Sequence, residues 1–192
     1  MLSAIIATRD SEQTLVRTLS ALVPGATSGV LREVIVTDGG SRDATAKVAD
    51  IAGCRFIATT APLGERLKAA AMAARAPWLL FLRAGTVPGD GWIEAVESFI
   101  ATAERLGRTN RVATFRSNDY GSAERPGVSQ MLVLLLLRLM LGAPHRPEQG
   151  LLIGGRFYES IGGHPGGDNA EVTLLRRIGR RRMALLPCPI RS

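Results

Sequence analysis

The sequence predicts an α/β domain with a mostly parallel central sheet flanked by helices. Short apolar runs recur at Leu2–Thr8, Glu33–Thr37, Arg55–Thr59 and Trp78–Leu82, as strands buried on both faces require. Between them lie stretches with apolar residues at helical spacing, so strand and helix alternate as in βαβ units with right-handed crossovers. The length of 192 residues and the 46% hydrophobic content suit one domain with a sizeable core.

Taken in order, LSAIIAT at Leu2–Thr8 is the first strand. Asp10 and Ser11 offer an N-cap for a helix through about Ser20, with Leu15, Leu19 and Leu22 on one face, and PGATSG at Pro24–Gly29 reads as a loop. EVIVT at Glu33–Thr37 is the second strand and ends in the turn Asp38-Gly39-Gly40-Ser41, where Ser41 or Asp43 can cap a helix from Asp43 to Gly53. RFIAT at Arg55–Thr59 is a third strand. An alanine-rich helix spans Glu65–Arg75, and Pro77 marks its end. WLLFL at Trp78–Leu82 is wholly apolar and therefore central. Gly85–Gly91 is a loop, and Trp92–Leu106 a helix with Ile93, Val96 and Ile100 in register.

The second half has less regular punctuation. RVATFR at Arg111–Arg116 predicts a strand, and a polar loop, a Leu-rich helix and a Gly-rich region from Gly150 to Gly167 follow. Glu171–Ile178 predicts a short helix and Met183–Leu186 a last strand before Pro187. Ligands of open parallel sheets bind beyond the carboxyl ends of the strands. The segments to watch are therefore Thr8–Asp10, Thr37–Ser41, Thr59–Leu63 and Arg83–Thr86.

A net charge of +7 favours anionic partners: nucleotide phosphates, acidic lipid or nucleic acid. Arg176, Arg177, Arg180, Arg181 and Arg182 crowd together and form either a solvated face or a binding patch. Cys54 and Cys188 lack any CxxC or metal spacing and sit among apolar residues, so two buried free thiols and a cytoplasmic setting are expected. The N-terminus has no basic region followed by a long apolar run, which argues against a signal peptide. MLVLLLLRLML at Met131–Leu141 is too short to span a bilayer, which takes about 20 apolar residues. It is either a core helix or an interfacial one with Arg138 at the headgroups, a contact that would make the protein peripheral at the inner membrane face. No phosphate loop of the GxxxxGK[ST] type, no GxSxG elbow and no aromatic array for RNA is present, so no specific nucleic-acid partner is expected.

VIVTDGGSRDAT, opening strand IIATRD, WLLFLRAGT and QGLLIGGRFYESIGG together resemble family 2 glycosyltransferases of the GT-A fold. The resemblance runs from about Leu2 to Pro187 and is nearest to the short bacterial transferases found beside radical-enzyme and selenium-related genes. It implies a nucleotide-diphospho-sugar donor, a hydroxyl acceptor, inversion at the anomeric carbon, a nucleotide-binding half over 1–106 and an acceptor-side half over 107–192. The strand-tip aspartate of the family contacts the base; the matching residue is Asp38, with Thr8 and Asp10 on the first strand tip.

Two departures stand out. The acidic motif that ligates Mg²⁺ or Mn²⁺ in the family is replaced by Arg83 and Gly85, neither of which supplies a side-chain oxygen to a hard cation. Arg83 either places a fixed positive charge against the leaving diphosphate, a metal-free arrangement, or fills a lost position without a role. Lys68 and Ala70 replace the family's Asn and Gly, and Lys68, like Arg66, adds a cation. At the catalytic-base position stands Glu171, with Ala170 in place of a second acid and Asp168 nearby. Glu171 is equally suited to complement a helix dipole, and His164 reads as a packing residue. Besides a transferase, the sequence admits a non-catalytic relative that binds nucleotide or a partner, and a basic protein that binds membrane or nucleic acid.

Overall fold

The computed structural model describes residues 1–117 and 147–191. The apolar runs become strands β1 (Leu2–Thr8), β2 (Leu31–Asp38), β3 (Arg55–Ala58) and β4 (Trp78–Arg83). They continue into β5 (Val87–Pro88), β6 (Val112–Ser117), β7 (Leu151–Gly154) and β8 (Met183–Arg191). All eight form one sheet in the order β3-β2-β1-β4-β7-β6-β8-β5. The first four are mutually parallel; β7 runs antiparallel between β4 and β6, β8 is parallel to β6, and β5 closes the edge antiparallel to β8.

Helices α1 (Glu12–Thr27), α2 (Thr45–Ile51), α3 (Leu63–Ala73), α4 (Trp92–Arg105), α5 (Gly155–Ser160) and α6 (Ala170–Ile178) cover both faces. Side chains alternate across a strand, so Leu2, Ala4, Ile6, Trp78, Leu80 and Leu82 pack against α1 and α4. Ile5, Leu79 and Phe81 meet Leu67 of α3, Tyr158 of α5 and Leu174 of α6 on the other face. β4 is buried from Trp78 to Leu82 because it carries helices on both sides. Burying one large apolar side chain contributes about 1.5–3 kcal/mol, which makes this strand the spine of the sheet.

Several elements differ from the sequence expectation. α1 does not stop near Ser20 but runs through Pro24 to Thr27. A Cβ on Gly25 would lie 2.4 Å from Trp92, and the Trp92 indole donates to the Ala21 carbonyl at 3.1 Å. Packing against α4 thus holds a turn that proline alone would break. The Gly85–Gly91 loop contains β5, and the Gly-rich region contains β7 and α5. β8 continues through Pro187 and Pro189 to Arg191. The β6–β8 register shifts between Thr114 and Arg116, the kind of irregularity at which a sheet accepts proline. Cys54 and Cys188 are free thiols, half-buried and buried; burial pushes the Cys54 thiol up to about 11 and raises Cys188 too. Met131–Leu141, Arg138 and His145 lie outside the described residues. Among the described residues no helix is long and apolar enough to cross a membrane.

Candidate functional site

The carboxyl ends of β2, β1 and β4 lie side by side: Thr8 pairs with Asp38 and Ala7 with Arg83. Asp38 is 2% exposed. One oxygen accepts from the Thr8 hydroxyl at 2.9 Å and from the Ser41 hydroxyl. The other accepts from the backbone N–H groups of Gly40 at 2.9 Å and Ser41 at 2.8 Å. Burial works to raise the Asp38 pKa, but these donors outweigh it and hold the carboxyl below its ordinary value. A carboxylate has about four acceptor positions, and all are used, three on the loop and one on the tip of β1. What Asp38 presents to a ligand here is a fixed loop shape rather than a free oxygen.

The loops after β1 and β2 are laced together by reciprocal bonds. The Asp10 N–H donates to Ser41 Oγ at 2.8 Å, and Asp10 Oδ1 accepts from the Arg42 N–H at 2.7 Å. These bonds hold Asp10 at φ +47°, which no other non-glycine described residue adopts; aspartate tolerates this region better than most residues. Asp43 serves the start of α2, as expected, and takes over the start of α1 as well. Ser11 makes no side-chain bond to its own helix. Instead, Asp43 Oδ2 accepts from the Glu12 N–H at the start of α1 and Oδ1 from the Thr45 N–H at the start of α2. Hydrogen bonds from Thr45 and Glu12 lower the Asp43 pKa.

Beneath this lacing lies Arg66. Its Nη1 donates to the carbonyls of Thr37 at 3.0 Å and Thr8 at 3.3 Å, and its Nε is buried without a partner among the described residues. Burial lowers its pKa, partly countered by Asp38 and Asp168. The guanidinium lies against Gly39, where a Cβ would come within 3.0 Å. Lys68, by contrast, is exposed and lines a separate cavity of about 260 Å³ with Leu79, Gly155 and Tyr158. The sequence singled out both cations; only Arg66 joins the strand tips. The signal was its place with Leu63, Leu67 and Ala70 at i, i+3, i+4 and i+7, the stripe that faces the sheet.

At the tip of β4, Arg83 meets Glu171 of α6 across 88 positions of sequence. Nε donates to both Glu171 oxygens, at 3.0 and 3.3 Å, and Nη2 donates to Oε2. Nη1 reaches Glu148 Oε1 at 3.4 Å. The Glu171 side chain is 13% exposed and that of Arg83 40%. The hydrogen bonds that Arg83 donates to Glu171 raise the arginine's pKa against the effect of burial. Glu148 had no sequence signal. Gly85 sits at φ +97°, and its N–H donates to Thr14 O at 3.1 Å and Thr18 Oγ1 at 2.9 Å. Among the described residues no three His, Cys, Asp or Glu side chains gather in a metal-holding group. A guanidinium beside a glycine does not fit a divalent cation, which wants several hard oxygen donors.

The loop carrying His164 to Asp168 crosses the start of α3: Gly64 N–H donates to Gly167 O at 3.1 Å, and a Cβ on Gly64 would lie 1.8 Å from Pro165 O. This brings exposed Asp168 close enough to influence Arg66. His164 is buried, with Nδ1 2.8 Å from the Tyr158 hydroxyl and its ring 4.8 Å from that of Phe81. Burial lowers its pKa to about 4 and raises Tyr158 to about 12. With Phe81 and Glu171 it lines a cavity of about 10 Å³, room for roughly one water.

A sequence profile described as glycosyl transferase family 2 matches residues 3–161. The chain belongs to glycosyl transferase family 2. No curated relative matches the sequence. Among solved structures, this family 2 chain is similar to glucosyl-3-phosphoglycerate synthase from Mycobacterium tuberculosis in complex with Mn²⁺, UDP and glucosyl-3-phosphoglycerate. That match has 19% identity and a TM-score of 0.67 over 100% of this chain and 71% of the other. The same enzyme with phosphoglyceric acid alone gives a TM-score of 0.69 at 19% identity over 100% and 71%. At this identity the likeness establishes the fold, a GT-A α/β architecture with a mostly parallel sheet.

Proposed function

We propose that this family 2 member transfers a sugar from a nucleotide-diphospho-sugar to a hydroxyl acceptor, with inversion and without a divalent cation. The carrying observation is the Arg83–Glu171 pair. A permanent cation stands at the β4 tip, where the family places metal ligands, in contact with the carboxylate at the base position. The laced loops of Thr8, Asp10 and Asp38, with Arg66 beneath, form the nucleotide end. The UDP bound by the solved neighbour supports that reading of the donor.

In this account Glu171 takes the proton of the acceptor hydroxyl, and the acceptor oxygen attacks the anomeric carbon. The bond from that carbon to the phosphate oxygen breaks, and its electron pair leaves on the diphosphate. A single displacement inverts the centre. Arg83 stabilises the departing charge through a charge-assisted, planar fork. To do so it must let go of Glu171, so donor binding frees the base. Asp168 is the alternative base, and Lys68 a more distant cation.

A second reading is favoured by the same contact. Both Glu171 oxygens are engaged by Arg83, as a purely structural pair would have them, which suits a relative that binds nucleotide without transferring sugar. Release of nucleoside diphosphate from a panel of UDP- and GDP-sugars, with and without a chelator, decides between them. The transferase reading expects turnover that persists in chelator and drops about 10²-fold or more in Glu171→Gln. Nucleotide binding with no turnover on any donor supports the second reading, and chelator-sensitive turnover sinks the metal-free one.

A further inference from the structure

The end of the sheet opposite the candidate site is where β4, β6 and β8 begin and β7 finishes. Arg105 closes α4, Arg108 lies in the turn that leads into β6, and Arg156 stands in the first turn of α5, just after β7. Arg180, Arg181 and Arg182 form the helical turn that enters β8, where Met183 pairs with Val112. All six are exposed. The carboxylates of these same elements at this end are Glu104, which accepts from the Trp78 indole at 3.0 Å, and Glu159. Six cations against two anions leave a surplus of four. None of the six forms an ion pair with a described residue.

The arginines come from three layers. Arg105 and Arg108 belong to the helix layer on one face, Arg180 to Arg182 to the sheet, and Arg156 to the helix layer on the other face. Adjacent strands are about 4.8 Å apart and packed layers about 10 Å, so the charges spread over a plate rather than line a groove. Arg182 lies 5.9 Å over the Phe157 ring, so this aromatic already has a cation stacked on it. A single-stranded nucleic acid is held by a charged groove with free stacking faces, whereas Phe157 is already covered by Arg182.

We infer that this arginine plate is a docking surface for an anionic lipid bilayer, held by electrostatics alone. The inference is independent of the transfer reaction. Strand β4 rises roughly 16 Å from Trp78 to Arg83 at about 3.3 Å per residue, so docking points the strand carboxyl ends away from the bilayer, toward soluble donor and acceptor. The chain leaves the described residues at Ser117 and returns at Pro147, both at that far end.

The test is co-sedimentation of the full chain with vesicles of phosphatidylcholine containing about 30% phosphatidylglycerol, or with phosphatidylcholine alone, across a salt series. Each basic residue at an anionic surface multiplies partitioning about fivefold, and salt screens the effect. We expect binding to anionic vesicles only, falling about tenfold or more as salt rises from about 0.05 to about 0.3 M. Binding should weaken at least about 30-fold in the variant Arg108→Ser/Arg156→Ser/Arg180→Ser/Arg181→Ser. A control, Arg17→Ser/Arg191→Ser, removes exposed arginines elsewhere and should stay within about threefold. Circular dichroism checks that each variant folds; if the fourfold variant does not, the pairs Arg108→Ser/Arg156→Ser and Arg180→Ser/Arg181→Ser replace it. The proposal is overturned by equal loss in plate and control variants, by binding to neutral vesicles, or by no vesicle binding at low salt. Salt-sensitive binding of a labelled oligonucleotide, lost with the plate and unmatched by vesicles, would overturn it in favour of nucleic acid.

Discussion

Replacing Asp38 separates its charge from its shape. Asp38→Ala leaves four donors without their acceptor: the Thr8 and Ser41 hydroxyls and the Gly40 and Ser41 amides. A hydrogen bond to a charged group contributes about 1.5–3 kcal/mol, and a donor left unsatisfied in the interior costs about 1–3 kcal/mol. The Ser41 hydroxyl and the two amides are only partly buried and can turn to water, whereas Thr8 is 3% exposed. The loss should therefore be about 3–5 kcal/mol. Asp38→Asn can turn its carbonyl toward the two amides and its NH₂ toward the hydroxyls, which can accept, so about 1–2 kcal/mol is expected. With a urea m-value of about 2 kcal/mol/M, the alanine variant should move the midpoint down by about 2 M and the asparagine variant by less than about 1 M. Circular dichroism in urea reads both. If Asp38→Ala unfolds at the wild-type midpoint, the carboxylate does not organise the loop and the reading of its geometry fails.

Acid sensitivity should follow from the buried His164. Its folded pKa of about 4 lies below the ordinary 6.5, so the unfolded chain binds the extra proton first. Stability is fully present above about pH 6.5 and declines by roughly 3 kcal/mol as pH falls to about 4. Replacing the imidazole in His164→Gln should flatten the pH dependence of the urea midpoint in that window; an unchanged slope would place the titrating group elsewhere. Asp38 acts lower on the scale: its depressed pKa stabilises the fold above about pH 4 and that contribution disappears as pH falls further, a component Asp38→Asn should lack. Gly64→Ala should displace the loop from Gly163 to Asp168, since the new methyl would meet Pro165 O at 1.8 Å; we expect a drop of about 1–3 kcal/mol in stability with weaker nucleotide binding, and wild-type values for both would show that the loop yields freely.

The fold was legible where burial dominates. β1, β2 and β4 are apolar runs because helices cover both faces, and the turn after β2 announces itself through Asp38-Gly39-Gly40-Ser41. It was less legible where tertiary contacts override local rules. α1 crosses Pro24 because Gly25 seats Trp92, and β8 crosses Pro187 and Pro189 near a register shift. β7 has four residues inside a glycine-rich stretch, too few to show a period. In the site, Thr8, Asp10, Asp38, Arg83, Asp168 and Glu171 were each singled out by resemblance. That Arg83 and Glu171 touch, and that Asp43 caps a helix 31 residues earlier, depends on long-range packing that no local pattern encodes. Arg66 was visible as a cation, but its burial follows from the helix face that the sheet selects.

We propose that arginine stands in place of metal at a nucleotide-diphosphate site. Calorimetric titration of the protein with UDP and with GDP, each with and without Mn²⁺, tests it most directly. We expect saturable binding of one nucleotide, indifferent to Mn²⁺ and weakened about tenfold or more in Arg83→Ala, the loss expected for one charge-assisted contact. Binding that requires Mn²⁺, or no binding of either nucleotide, would contradict it.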